Sequence, residues 1–598
     1  MNKTHTEIVG GGECAEIGNA PESSARRKFL GGLGSVAAAT AAIGAVGLPK
    51  VAEAVAVDPQ TPTQRANTSL LIRTQAALAE RAKPIPAHLT NGDEELYAAK
   101  IGNFSKGLPH NALGEPDVAA YNALVKALST GRPQDFEAIP LGSTDPTKQR
   151  RLVDPQSALA FDIEGADSHH LAIPPAPGFS SAEEVGEIVE NYWMALLRDV
   201  PFTEYTNPNS QFAPLVSAAA DDLSKLSNFK GPKVGGKVTP ATLFRGGIPG
   251  TEVGPYISQF MFGDVNYGAQ VIDSRVVVAS PGVDYMSSFS SWLSVQNGVA
   301  PGPQSFVPGR RYMTTGRDAS TYVHIDALYQ AYQVATLFML GHGLPWGDNP
   351  YGPTPEGGAG GPSQTPSRVQ AGFGTFGGPH VLSLVTEVAT RALKAVWYQK
   401  WSVHRRLRPE EFAGRIEVQR THPGRYPLHQ DLFSSTVLPK IFARNSTLNS
   451  GQGTWLLPMA FPEGSPTHPA YGAGHATVAA CCVTVLKAFF DESAPIANPV
   501  VPDVNDPTRL VPYTGADAGS LTVGGELNKI AANISLSRNI AGVHWRSDHI
   551  ESLKLGEQLA ISILKDQFHT YNETKGSFPS GGFNGWSLTK FDGTTIKV

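Results

Sequence analysis

Three short segments in the C-terminal half hold residues that could do chemistry. In Lys400-Trp-Ser-Val-His-Arg-Arg-Leu-Arg408-Pro409, Lys400 and Arg408 stand eight positions apart. That is just over two helical turns, so one helix face is expected to present both charges. A solvated basic helix end beside the negative pole of the dipole would look the same. In His468-Pro-Ala-Tyr-Gly472-Ala473-Gly474-His475, a Gly-x-Gly turn runs directly into an apolar stretch. A helix N-terminus offers unpaired N–H groups and partial positive charge, which suits an anion. No Gly-Lys-Ser/Thr follows, so this is not a nucleotide loop, although a plain tight turn would share the spacing. In Arg538-Asn-Ile-Ala-Gly-Val-His544-Trp-Arg-Ser-Asp548, the His and Asp lie one turn apart. The carboxylate there either orients the imidazole or caps the next helix. Taken together, Lys400, Arg408 and Arg538, the Gly474 helix start, and His475 and His544 fit a tetrahedral oxyanion. The fixed cations neutralise its oxygens, one histidine binds or attacks its central atom, and the other shuttles a proton.

The elements that position these residues are helical. Apolar positions recurring at three and four predict helices over 69–82, 117–128, 181–197, 322–340, 380–405, 475–490, 525–539 and 548–567, with Pro409 closing the 380–405 helix. Strand signals are few, and 270–278 alternates weakly as a hairpin arm. A Gly/Pro-rich loop over 341–378 reads as functional or assembly-related. The expectation is an all-α protein: one large helical domain over 57–598 with little strand, its anion site within 390–550.

Composition narrows the function classes. The 598 residues are 41% apolar and 17% charged, which excludes wholesale disorder. With Lys+Arg 48 against Asp+Glu 53, the chain is a poor general binder of nucleic acid. Three cysteines, Cys14, Cys481 and Cys482, exclude a disulfide framework and a Cys-rich metal site; the adjacent pair reads as small buried helix residues. Residues 1–56 read as a cleaved export signal: Arg26-Arg27-Lys28-Phe29-Leu30, a mildly apolar run, then Ala-x-Ala triads ending at Ala54 and Ala56. The arginine pair resembles the twin-arginine type, which implies a periplasmic or extracellular protein. No later run of about 20 apolar residues marks a membrane span.

The pattern Lys-x7-Arg-Pro, Gly-x-Gly-His, Arg-x5-His-x3-Asp resembles the vanadium-dependent haloperoxidases, especially the bromoperoxidases of red algae and their cyanobacterial relatives. Gly372-Phe-Gly-Thr-Phe-Gly-Gly-Pro-His380, Leu456-Leu-Pro-Met-Ala-Phe461, Gly464-Ser-Pro-Thr-His-Pro469 and Lys590-Phe-Asp-Gly-Thr-Thr595 also read as family sequence, and the likeness covers most of the chain beyond residue 56. The resemblance implies a vanadate cofactor, with His544 as the axial vanadium ligand. Lys400, Arg408, Arg538 and the Gly474 N–H would hold its oxygens, His475 would act as general acid/base, and His468 would lie near the halide. It also implies hydrogen peroxide, halide and small organic nucleophiles as reaction partners, bromide and iodide favoured over chloride, and a homo-oligomer of up to a dodecamer. Two rivals share the motifs. One is a phosphatase with His544 as nucleophile, and the other is a non-catalytic oxyanion-binding shell.

The chain departs from the family pattern at three places. Ala473 stands where the family has Ser, which predicts weaker vanadate binding or altered halide preference. Trp397 stands where red algal enzymes tend to carry Arg. The 361–370 loop contains no carboxylate, which puts a red algal calcium site in doubt.

Overall fold

The computed structural model describes residues 61–352, 367, 369–574 and 582–598. The export-signal segment and most of the 353–368 loop, including most of 361–370, lie outside the described residues. The chain divides into two units, Met1–Thr68 and Ser69–Val598, and the second contains the site.

The helices of two turns or more are α1 (Pro62–Arg81), α2 (Val118–Thr130), α3 (Ala182–Leu197), α4 (Ala213–Lys225), α5 (Phe289–Gln296), α6 (Gly316–Ile325), α7 (Gln330–Gly341), α8 (Gly378–Trp397), α9 (Pro409–Thr421), α10 (Val437–Leu448), α11 (Gly474–Phe489), α12 (Val523–Ile540) and α13 (Arg546–Phe568). Strands occur only as two-stranded antiparallel pairs among the described residues: β1–β2 (Val265–Tyr267, Gln270–Ile272), β3–β4 (Val500–Pro502, Leu510–Pro512) and β5–β6 (Ser587–Thr589, Thr595–Lys597). The fold is all-α, as expected. No helix among the described residues is long and apolar enough to cross a membrane.

The core is organised around α11, which packs on α8, α12 and α13. Every residue of α11 except His475 is buried. A helix apolar on all sides belongs in an interior, and its small residues Ala476, Ala479, Ala480, Cys481 and Cys482 let three neighbours approach. At the α11–α13 crossing, a Cβ on Gly556 would fall 2.2 Å from the Thr477 carbonyl oxygen, so only glycine fits there. Both cysteines are buried and unpaired, as the sequence implied.

Several expected boundaries hold closely. Ser181 caps α3 by accepting from the Glu184 N–H, and Asp117 caps α2 the same way from Ala120. Two expectations are corrected. The 322–340 stretch is not one helix: α6 ends at Ile325, Asp326 is extended, and α7 begins at Gln330. Pro409 does not close the 380–405 helix but opens α9 at its first position, where a missing N–H costs nothing. Between α8 and α9, Tyr398–His404 forms a π-helical turn, and Arg405 takes a left-handed φ of 41°. Lys400 and Arg408 are therefore not on one helix face. They converge because the chain turns back between them.

Candidate functional site

Lys400 sits on the π-helical turn, fully buried. Its Nζ donates to the carbonyls of Pro469 (2.8 Å) and Ala470 (2.9 Å) and lies 5.7 Å from the Trp397 ring centre. Arg408 is the residue preceding α9, also fully buried. Its backbone N–H donates to Glu411 at 2.7 Å, which fixes the main chain. Its guanidinium then ties the other two motifs together. Nε donates to the His468 carbonyl (2.9 Å), Nη2 to His468 Nδ1 (2.9 Å), and Nη1 to the Val543 carbonyl (2.7 Å) and His544 Nε2 (3.0 Å). Arg538, in the last turn of α12, donates through Nη1 to the Val323 carbonyl at 2.8 Å and lies over the Phe461 ring at 5.6 Å. Its Nε is buried without a partner.

No carboxylate pairs with any of these three cations among the described residues, nor with the buried Arg415, whereas four other buried guanidiniums are paired. Arg198, Arg317, Arg406 and Arg546 all hold carboxylates. Burial, the largest influence, lowers the pKa of Arg408 to about 9 and of Arg538 to about 10. Burial and then the charge of Arg408 hold Lys400 well below the usual lysine range. A buried cluster of uncompensated positive charge is costly unless an anion joins it.

His544 lies in the α12–α13 connection just after Gly542, which turns the chain at φ 88°. Its Nδ1 is 2.7 Å from Asp548 Oδ2, and its backbone carbonyl accepts from Asn191 at 2.9 Å. Asp548 also receives the Trp545 N–H at 3.1 Å and Arg406 at 3.0 Å. Burial, then the charges of Arg408, Lys400 and Arg538, push the His544 pKa well below 6.5. The ring is thus a neutral imidazole. With Nδ1–H given to the carboxylate, the Nε2 lone pair faces the cations.

His475, the second residue of α11, keeps 18% of its side chain exposed. Its Nε2 is 3.2 Å from Asp326 Oδ1, and Asp326 also feels the charge of Arg538. His468 is buried against the Trp397 ring, centroids 4.8 Å apart. Burial, then Lys400 and Arg408, lower its pKa well below 6.5. Gly474 opens α11, and a Cβ there would stand 3.2 Å from the Trp397 ring. Ala473, at the N-cap, is 1% exposed and directs its N–H to Ser552 Oγ at 2.7 Å.

All seven residues singled out in the sequence therefore lie in one neighbourhood. Sequence reasoning missed Asp326, Arg406 and Ser552. Asp326 was concealed by reading helix straight through it, and Arg406 by two flanking arginines of the same type. Ser552 carried no local signal.

Fold and site together define an all-α protein in which fixed buried cations gather beside an imidazole. Residues 444–572 match the family model described as the VCPO second helical-bundle domain. The chain is 38% identical to a vanadium-dependent bromoperoxidase of Corallina pilulifera, over 89% of this chain and 98% of that one. It is 34% identical to a vanadium-dependent bromoperoxidase of Ascophyllum nodosum, over 90% and 95%. The solved homohexameric structure of a second vanadate-dependent bromoperoxidase from Ascophyllum nodosum superposes with a TM-score of 0.83 at 29% identity, over 92% of this chain and 94% of that one. The chain belongs to the family of vanadium-dependent bromoperoxidases.

Proposed function

We infer that this protein is a vanadate-dependent peroxidase that oxidises halide, bromide foremost, with hydrogen peroxide to a hypohalous acid-level halogenating agent. The observation that carries the reading is the set of three buried cations, Lys400, Arg408 and Arg538, that share no carboxylate and face a neutral imidazole. The residues fit vanadate. The cations and the Gly474 N–H would hold its oxygens, and the Nε2 lone pair of His544 would ligate the metal. When bound, vanadate supplies a Lewis acid that activates peroxide without electron transfer to the protein.

The chain's own groups do the rest. Asp548 keeps the proton on Nδ1 of His544, so Nε2 stays a lone-pair donor at neutral pH. Lys400, anchored by two carbonyls, has one N–H left that would hold an oxygen of the anion and neutralise its charge. Asp326 accepts from Nε2 of His475, which leaves Nδ1 to exchange a proton with incoming peroxide. His468 accepts from Arg408 at Nδ1, so its Nε2–H is a neutral donor beside Trp397, suited to halide.

The test is reconstitution with orthovanadate, then peroxide and bromide, following bromination of monochlorodimedone. Activity that needs vanadate and is suppressed by phosphate supports the reading. Phosphate-ester hydrolysis alone would move the function to the phosphatase chemistry that the same anion site could run, which the bromoperoxidase relatives do not favour. The homohexameric relative supports a homo-oligomer here, and sedimentation separates hexamer from dodecamer. The Arg26-Arg27 segment supports export in folded form, read out by the cell fraction that holds the protein after Arg26→Lys/Arg27→Lys.

A further inference from the structure

A pocket of about 300 Å³ lies beside the anion site but outside it. Asp326, the carboxylate that accepts from His475 Nε2 at 3.2 Å, forms part of its wall. None of Lys400, Arg408, Arg538, His468 and His544 lines it. Tyr322, Ile325 and Val334, which keep exposed surface, supply the accessible apolar wall. Two guanidiniums also line it. Arg275 is engaged by Asp273 at 2.9 and 3.0 Å. Arg310 makes no ion pair among the described residues. An apolar wall, a guanidinium that makes no ion pair although its charge reaches the Asp273 carboxylate, and a volume near the lower end of small-ligand pockets, about 300 Å³, suit a single aromatic ring with an anionic arm.

We propose that this pocket binds the organic nucleophile itself, a small aromatic acid, with its ring on Tyr322 and Val334 and its carboxylate at Arg310. Bromination then occurs on a held acceptor rather than only on molecules met by escaping oxidant. The proposal rests on the peroxidase reading for its oxidant. Hypobromous acid gives up bromine to a ring carbon: the O–Br bond breaks, the C–Br bond forms, and the ring proton leaves with hydroxide as water. The bromine is reduced by two electrons and the ring carbon is oxidised by two.

Two measurements test it on the full chain. Saturation-transfer NMR with 3-(4-hydroxyphenyl)propionate, without vanadate, is expected to show ring contact, with affinity falling about threefold in Arg310→Gln, the range of an exposed guanidinium–carboxylate contact. Arg310→Glu should weaken it further and improve binding of tyramine, whose arm is cationic. With the reconstituted enzyme, the bromination ratio of this acid to 4-ethylphenol should exceed the ratio given by free hypobromous acid and return to it in Arg310→Glu. Tribromide formation from peroxide and bromide should stay unchanged in both variants. Absence of saturation transfer, equal binding by wild type and Arg310→Glu, or a wild-type ratio equal to that of the free reagent overturns the proposal. If no oxidant forms at all, the peroxidase reading fails and the NMR arm alone decides the pocket.

Discussion

Nδ1 of His544 lies 2.7 Å from Oδ2 of Asp548, one helical turn on. Asp548 does not stand alone: Arg406 donates to its other oxygen at 3.0 Å, and Arg406 is itself held by Glu184 and Glu187 and stacked on the Trp545 ring at 4.6 Å. The imidazole's tautomer is thus set by a carboxylate that a buried ionic network fixes in place. Asp548→Asn keeps the volume and leaves Arg406 its two glutamates, but it removes the anion that retains the Nδ1 proton. Vanadate affinity is expected to fall about 10- to 100-fold, measured by titration with vanadium NMR. Unchanged affinity would show that the carboxylate only caps α13.

Ala473→Ser restores a hydroxyl at the start of α11. Ala473 has extended backbone, φ −85° and ψ 125°, and provides no side-chain cap. A serine there could accept from the helix N–H groups or donate to the bound anion. The two roles are separable. Capping raises stability without vanadate by about 1 kcal/mol, whereas anion bonding tightens vanadate by about tenfold or less. Denaturant unfolding of the vanadate-free protein and a vanadate titration distinguish them, and no change in either would make the hydroxyl irrelevant in this chain.

The site was legible in sequence because its residues come in tight local motifs, each tied to a helix end. The Gly472–Gly474 turn announces α11, and His544 and Asp548 announce the entry to α13. Their mutual placement was not legible. Lys400 and Arg408 read as one helix face, but the π-helical turn at Tyr398–His404 and the left-handed Arg405 bring them together by reversing the chain. Helix periodicity does not report such a turn, because Trp401 and Val403 are as buried as any helix interior. Asp326 was hidden for the converse reason. Apolar residues on both sides of it, Val323 and Ala331, keep the helical rhythm through a real break. Ser552, 79 positions from the Ala473 N–H it accepts, reaches the site only through the α11–α13 packing.

His475 is the one α11 residue that keeps some exposure, and its partner Asp326 also faces the neighbouring pocket. His475→Ala removes the proposed proton carrier and leaves Lys400, Arg408 and Arg538 in place. Turnover should fall about 10²- to 10⁴-fold while vanadate affinity stays within about tenfold, by steady-state kinetics and the same NMR titration. A loss of affinity larger than the loss of turnover would make His475 a holding group instead.

The uncompensated charges of Lys400, Arg408 and Arg538 predict that stability depends on a bound oxyanion. An oxyanion that binds only the folded state adds about 2.7 kcal/mol of stability at a hundredfold excess over its Kd. Orthovanadate is therefore expected to raise the unfolding midpoint, with phosphate producing the same effect at higher concentration. Lys400→Gln should diminish both shifts. Absence of a shift in the wild type would remove the main support for an anion site.

His549, one residue past Asp548, shows how the buried histidines link stability to pH. Its Nε2 donates to the Gly246 carbonyl at 3.0 Å, while its Nδ1 is buried without a partner. Burial, then the charge of Arg546, lower its pKa to about 3. The unfolded chain takes up this proton near pH 6.5 and the folded chain does not, so its contribution is present above pH 6.5 and is lost as pH falls toward about 3. His549→Gln keeps an N–H for Gly246 and cannot titrate. Other groups titrate equally in both proteins, so the stability gap between wild type and variant isolates this one. Between pH 7.5 and 5 the gap should move by about 2 kcal/mol in favour of the variant, read from urea unfolding at each pH. A gap independent of pH would mean that the folded protein admits the proton at Nδ1.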